Sequence, residues 1–116
     1  MGTHHVLHEP LEIRLERRFD TTVVCVSGAC DASSHLELRK RLLQAEVSGA
    51  KKIVVDLTDL QFIDSIGLRM LIGAWSRARH ADQEFVVALP ESGPVHRVFA
   101  LTGVNRVVPT AAPHLA

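Results

Sequence analysis

The sequence predicts an α/β fold: one domain on a mixed, mostly parallel β-sheet that opens with an antiparallel hairpin. Three observations lead there. "PLEIRLE" and "TTVVCVSG" carry alternating and β-branched residues separated by only a few turn-forming positions, the pattern of paired hairpin strands. "KKIVVDL" and "EFVVAL" are short continuous apolar runs, the pattern of buried parallel strands. Between and after these runs lie three stretches that read as helices, two from apolar residues at helical spacing and one from its start and stop residues. Strands alternating with helices imply parallel crossovers, and they direct attention to the loops at the carboxyl ends of the strands.

Taken in order, Leu11, Ile13 and Leu15 alternate with Glu12, Arg14 and Glu16, which predicts a half-buried first strand with one wet face. The chain turns at "RRFD" into a second strand from Thr21 to Val26 that is expected to stop at Gly28. Ser34, with Glu37 three residues on, reads as a capping box for helix one; Leu38, Leu42 and Ala45 form its apolar stripe and Gly49 its stop. Ile53, Val54 and Val55 show no alternation, so the third strand is expected to be covered on both faces and to end near Leu57, followed by the link "TDLQF". Helix two begins around Asp64 and Ser65 and carries Leu68, Leu71, Ile72 and Trp75 at i, i+3, i+4 and i+7. "EFVVAL" is the fourth strand. "SGPVHRVFALTG" is a short helix with Pro94 near its start and Gly103 past its end, and "VNRVVPT" is expected as a last short strand. The order is β-β-α-β-α-β-α-β, with residues 10–110 as the domain and flexible tails expected at 1–9 and 111–116.

Composition narrows the functional classes. A chain of 116 residues is one domain, and 47% hydrophobic against 22% charged residues marks it as globular. Thirteen basic and thirteen acidic side chains cancel, leaving no field of one sign to track nucleic acid or an anionic membrane. No segment approaches the roughly 18 to 20 apolar residues that span a bilayer, and "MGTHHVLHEP" lacks a basic region followed by an apolar one. A cytoplasmic location is expected, with Cys25 and Cys30 as thiols: Cys25 as a small core residue, Cys30 as the more exposed of the two. His4, His5 and His8 cluster near the start, where Gly2-Thr3-His4 could chelate copper or nickel only incidentally, and Val6 breaks a myristoylation pattern. No Ser-His-Asp or Cys-His set and no P-loop can be assembled, so neither an enzyme nor a cofactor is expected.

The stretch "QFIDSIGLRMLIGAW" asks for a closer reading. Asp64 and Ser65 are both good helix starters, since a side-chain oxygen there accepts a hydrogen bond from an orphaned backbone N–H. The same helix N-terminus tolerates an anion, so the pair reads equally as punctuation or as a site. Gly67 allows either the close approach of a partner or tight packing of helix on sheet, and Asp31 either a partner contact or a turn before helix one.

"DLTDLQFIDSIGLRMLIGAW" resembles the signature of the STAS domain family, in which a strand leads through F-x-D-S-x-G-L-x-x-L into a helix; Phe62, Asp64, Ser65, Gly67, Leu68 and Leu71 carry the match. "VSGACD" is similar to the family's G-E-L-D at the end of the second strand, and "VHRVFALTGVNRVVP" to its closing segment. The resemblance implies an anti-sigma factor antagonist whose phosphoacceptor is Ser65. Its unphosphorylated form would bind an anti-sigma factor that is also a serine kinase of the GHKL type, freeing a sigma factor; phosphorylation would dissolve that complex and a serine phosphatase would reset it. It also implies a partner surface formed by Asp31 and by Asp64, Ser65, Ile66, Gly67, Leu68 and Arg69, on a monomer or weak dimer. A scaffold or adaptor role, in a stress-signalling assembly or beside a lipid-transport ATPase, is the alternative within the same fold. The chain departs from the family pattern at Ile66, where many relatives carry a small polar residue, and at Ala29 and Cys30, which replace an acidic and an aliphatic residue.

Overall fold

The computed structural model describes residues 9–112, so His4, His5, His8 and the Gly2-Thr3-His4 terminus lie outside the described residues. Five strands and three helices follow one another as β1 (Glu12–Arg18), β2 (Thr21–Cys30), α1 (His35–Glu46), β3 (Lys52–Ile63), α2 (Ser65–His80), β4 (Glu84–Ala88), α3 (Pro94–Thr102) and β5 (Thr110–Ala111), with a 3-10 turn at Val104–Arg106. The strands lie in the sheet in the order β1-β2-β3-β4-β5. β1 pairs antiparallel with β2, and every later pair is parallel. The expected fold class and element order are both present.

That monotonic order decides where the core lies. Each right-handed crossover steps the same way along the sheet, so all three helices fall on one face. Val24 of β2 and Ile53 and Val55 of β3 point to that face and are fully buried, together with Leu38, Leu42 and Ala45 of α1, Leu71, Ala74 and Ala78 of α2, and Phe99 of α3. Each buried leucine is worth about 1.5 to 3 kcal/mol. The opposite face carries Arg14, Glu16, Thr21, Val23, Cys25 and Lys52 along a shallow open groove. β3 is therefore covered by helices on one face, not two. Val54 is nonetheless buried because Val23 and Val86 stand beside it in register on the open face.

Four further expectations are corrected. β2 does not stop at Gly28 but continues to Cys30: Gly28 takes φ +82°, the ladder shifts register beside it, and Pro10 closes in where a side chain would stand. β3 does not end near Leu57, because the prolonged β2 lies alongside it, pairing Gly28 with Leu60 and Cys30 with Ile63. Its buried residues Leu57, Leu60 and Ile63 then recur every third position, a spacing that the bulged pairing produces and that strict alternation does not reveal. Ser34 precedes α1 but makes no side-chain cap, and Glu37 pairs with Arg41 instead of completing a box. In "VNRVVPT", Val104 and Val108 are the buried pair at i, i+4; the chain makes a 3-10 turn there, and the strand forms only at Thr110 and Ala111.

At the ends of the domain, Glu9 is tied down by the Ala29 N–H, which donates to its carbonyl, and by its own N–H, which donates to Gln61 Oε1. Ala111 pairs with Ala88. Among the described residues no helix is long and apolar enough to cross a membrane.

Candidate functional site

The carboxyl ends of β2 and β3 lie side by side, and the site is built where each chain leaves the sheet. The Asp64 N–H donates to the Cys30 carbonyl at 3.2 Å, which places Asp31 and Asp64 on adjacent strand ends. Asp64, not Ser65, is the cap of α2: its backbone is extended, and its Oδ1 accepts from the Gly67 N–H at 2.9 Å. Ser65 is the first residue of the helix and is exposed. Ile66 beside it is 45% exposed, and Phe62, three residues earlier at the end of β3, 37%.

A residue that sequence reasoning passed over completes the site. His35, the first residue of α1, reaches across with Nε2 2.8 Å from both Asp64 carboxylate oxygens. It went unnoticed because its partner is 29 positions away and nothing local to "ASSHLE" distinguishes it from a solvated first-turn histidine. The available signal was topological: parallel neighbours β2 and β3 must bring the first turn of α1 beside the first turn of α2.

The electrostatics follow from these contacts. Partial desolvation pushes the Asp64 carboxyl up, but the Gly67 N–H, His35 and the Ile66 N–H together outweigh it and hold the group below its ordinary range. Asp31 Oδ1 accepts from the Ser33 hydroxyl at 2.7 Å and the Ser33 N–H at 3.0 Å, the turn role that was one of its two readings, and these bonds lower its pKa. Cys30 is 1% exposed, whereas Cys25 lies part-exposed on the open sheet face, so the expected exposure of the two thiols is reversed. Burial, reinforced by Asp64 and Asp31, pushes the Cys30 thiol up to about 11.

Of the residues expected at a partner surface, Asp31, Asp64, Ser65, Ile66 and Arg69 reach the surface in part or in full. Gly67 and Leu68 do not; Leu68 belongs to the core. A Cβ on Gly67 would stand 2.8 Å from Ile63 Cγ1 and 2.9 Å from Cys30 Sγ, so this glycine serves the packing of α2 on the sheet.

Comparison with known proteins meets this geometry. Residues 13–109 match the family model described as "Mlab, STAS domain". The chain is 29% identical over 98 residues to an anti-sigma-B factor antagonist of Listeria monocytogenes, covering 84% of each chain. It is 28% identical over 100 residues to an anti-sigma F factor antagonist of Paenibacillus polymyxa, covering 85% of each. Its fold is similar to that of an anti-sigma factor antagonist from Mycobacterium paratuberculosis (TM-score 0.79, 24% identity, 87% and 85% covered). It is similar also to SpoIIAA in its unphosphorylated form (TM-score 0.73, 21% identity, 90% and 91% covered). With the strand-to-helix motif in place at the end of β3 and the family model spanning all but the chain's ends, the protein belongs to the STAS domain family.

Proposed function

We propose that the protein is an anti-sigma factor antagonist that acts by binding, not by turnover, and that is switched at Ser65. In this reading the unphosphorylated form captures an anti-sigma factor that is also a serine kinase of the GHKL type, which frees a sigma factor. Phosphorylation of Ser65 ends the complex, and a serine phosphatase restores it. The observation that carries the reading is the position of Ser65: exposed at the first turn of α2, one residue beyond a cap that Asp64 already supplies. The hydroxyl is thus spared a structural duty. The names of the curated relatives point the same way.

A phosphate there adds about −1.5 to −2 charges. The N-terminus of a 16-residue helix accommodates them, so the domain keeps its fold and the change is felt at the surface. The partner surface under this proposal comprises Asp31, Asp64, Ser65, Ile66 and Arg69, with Gly67 and Leu68 supporting it from beneath. Against a partner already facing the Asp31 and Asp64 carboxylates, the added charge costs several kcal/mol, and each ~1.4 kcal/mol is tenfold in affinity.

The test is to incubate the protein with cognate anti-sigma kinases and ATP and to map the phosphate by mass spectrometry, with binding measured alongside. Phosphate is expected on Ser65. Ser65→Ala should bind the kinase and resist switching, at little cost in stability because Asp64 holds the cap, while Ser65→Asp should weaken binding by at least about tenfold. Failure of every cognate kinase to modify Ser65 removes the switch. The exposed apolar side chains of Ile66 and Phe62 favour a second reading, a constitutive adaptor; partner binding unchanged by Ser65→Asp would select it.

A further inference from the structure

Cys30, His35 and Asp64 come from three different elements, the end of β2, the start of α1 and the cap of α2, yet they converge on one point. Their Sγ, imidazole nitrogen and carboxylate oxygen all lie within 4.8 Å of one another. No other group of three or more histidine, cysteine or acidic side chains among the described residues comes together in this way.

We propose that these three side chains form a binding site for a divalent transition-metal ion of the zinc class. Thiolate, imidazole and carboxylate are the borderline donors such an ion takes, and three protein ligands leave one tetrahedral position for water. The inference is independent of any phosphorylation at Ser65.

Three features of the structure fit it. His35 Nε2, 2.8 Å from both Asp64 oxygens, needs to draw back only a few tenths of an ångström to become a neighbouring ligand of the same ion. Asp64 keeps Oδ1 on the Gly67 N–H, so the cap of α2 is retained while Oδ2 turns to the metal. Gly67, with no Cβ, lets the first turn of α2 close onto Cys30 Sγ, which brings the Asp64 cap within reach of the thiol. Access is from the side of Asp64, whose side chain is 27% exposed against 13% for His35. On binding, the Cys30 thiol gives its proton to solvent and the His35–Asp64 contact is replaced by two metal bonds.

The probe is Co²⁺, titrated into full-length protein carrying His4→Ala, His5→Ala and His8→Ala, which removes the competing imidazoles near the N-terminus. One equivalent should produce a thiolate-to-cobalt charge-transfer band in the near ultraviolet together with tetrahedral d–d bands in the visible, and Zn²⁺ should bleach both. Cys30→Ala should abolish the charge-transfer band. His35→Gln, which can still hydrogen-bond Asp64, should lower the affinity at least about tenfold. Absence of the band in the tail-substituted protein overturns the site. So does a band that survives Cys30→Ala, which would assign it to Cys25, or an affinity that His35→Gln leaves unchanged.

Discussion

Asp64 does two things at once, and they separate by substitution. Its carboxylate caps α2 through Gly67 and holds His35 across the gap between helices. Asp64→Ala should cost about 0.5 to 2 kcal/mol, the scale of a lost cap, whereas Asp64→Asn keeps a capping oxygen and should cost less at neutral pH. The sign of the pH effect follows from a carboxyl held below its ordinary value in the folded state. Its contribution is complete above the ordinary carboxylate pKa of about 3.9 and is lost as pH falls through the lower folded value, where the unfolded chain has already bound its proton. Urea midpoints at neutral and strongly acidic pH check this: the loss between them should be smaller in Asp64→Asn than in the wild type. At this scale the sequence disclosed the aspartate, the serine and their order, because caps are local. It hid His35, whose meaning depends on a contact 29 positions away, and it misjudged Cys30, whose burial depends on a strand that runs two residues past the expected stop at Gly28.

Among the elements, the first turn of α2 is the one whose placement depends on a missing side chain. With Ile63 Cγ1 and Cys30 Sγ both within 3 Å of where a Cβ would stand, Gly67→Ala must push the helix away from β3 or distort two buried side chains. Overpacking of that kind costs about 1 to 3 kcal/mol, against a gain of up to about 1 kcal/mol from better helix propensity. A net fall in the urea midpoint is expected, and a neutral or stabilised variant would show that the helix end is free to move. The helices were legible because Leu38, Leu42, Leu68 and Leu71 repeat at 3.6-residue spacing, and the same rule overlooked Ala74 and Ala78, fully buried yet too small to mark a face. The strands were less legible where the ladder is irregular. Bulges beside Gly28 turned the end of β3 into an apparent linker, and the i, i+4 pair Val104 and Val108 was mistaken for a strand because valine favours one.

For the molecule as a whole, the order of strands matters more than any single contact. β1 to β5 lie in space in the order in which they occur in the chain, so each new strand meets a partner already made. No strand must be inserted between two others, and no early strand waits for the last segment. Chain closure is therefore spread over several short steps instead of one long one, the condition under which loop entropy slows folding least. Pulse-labelled hydrogen exchange during refolding should find amides of β2 and β3 protected before the Val87–Pro109 and Leu89–Ala111 contacts that fasten β5; simultaneous protection would mean that the sheet closes as one event. The same arrangement suits a chain emerging from a ribosome: the sheet can grow outward from the β1–β2 hairpin as the polypeptide lengthens, and the segment carrying Cys30, His35 and Ser65 is made before β4, α3 and β5.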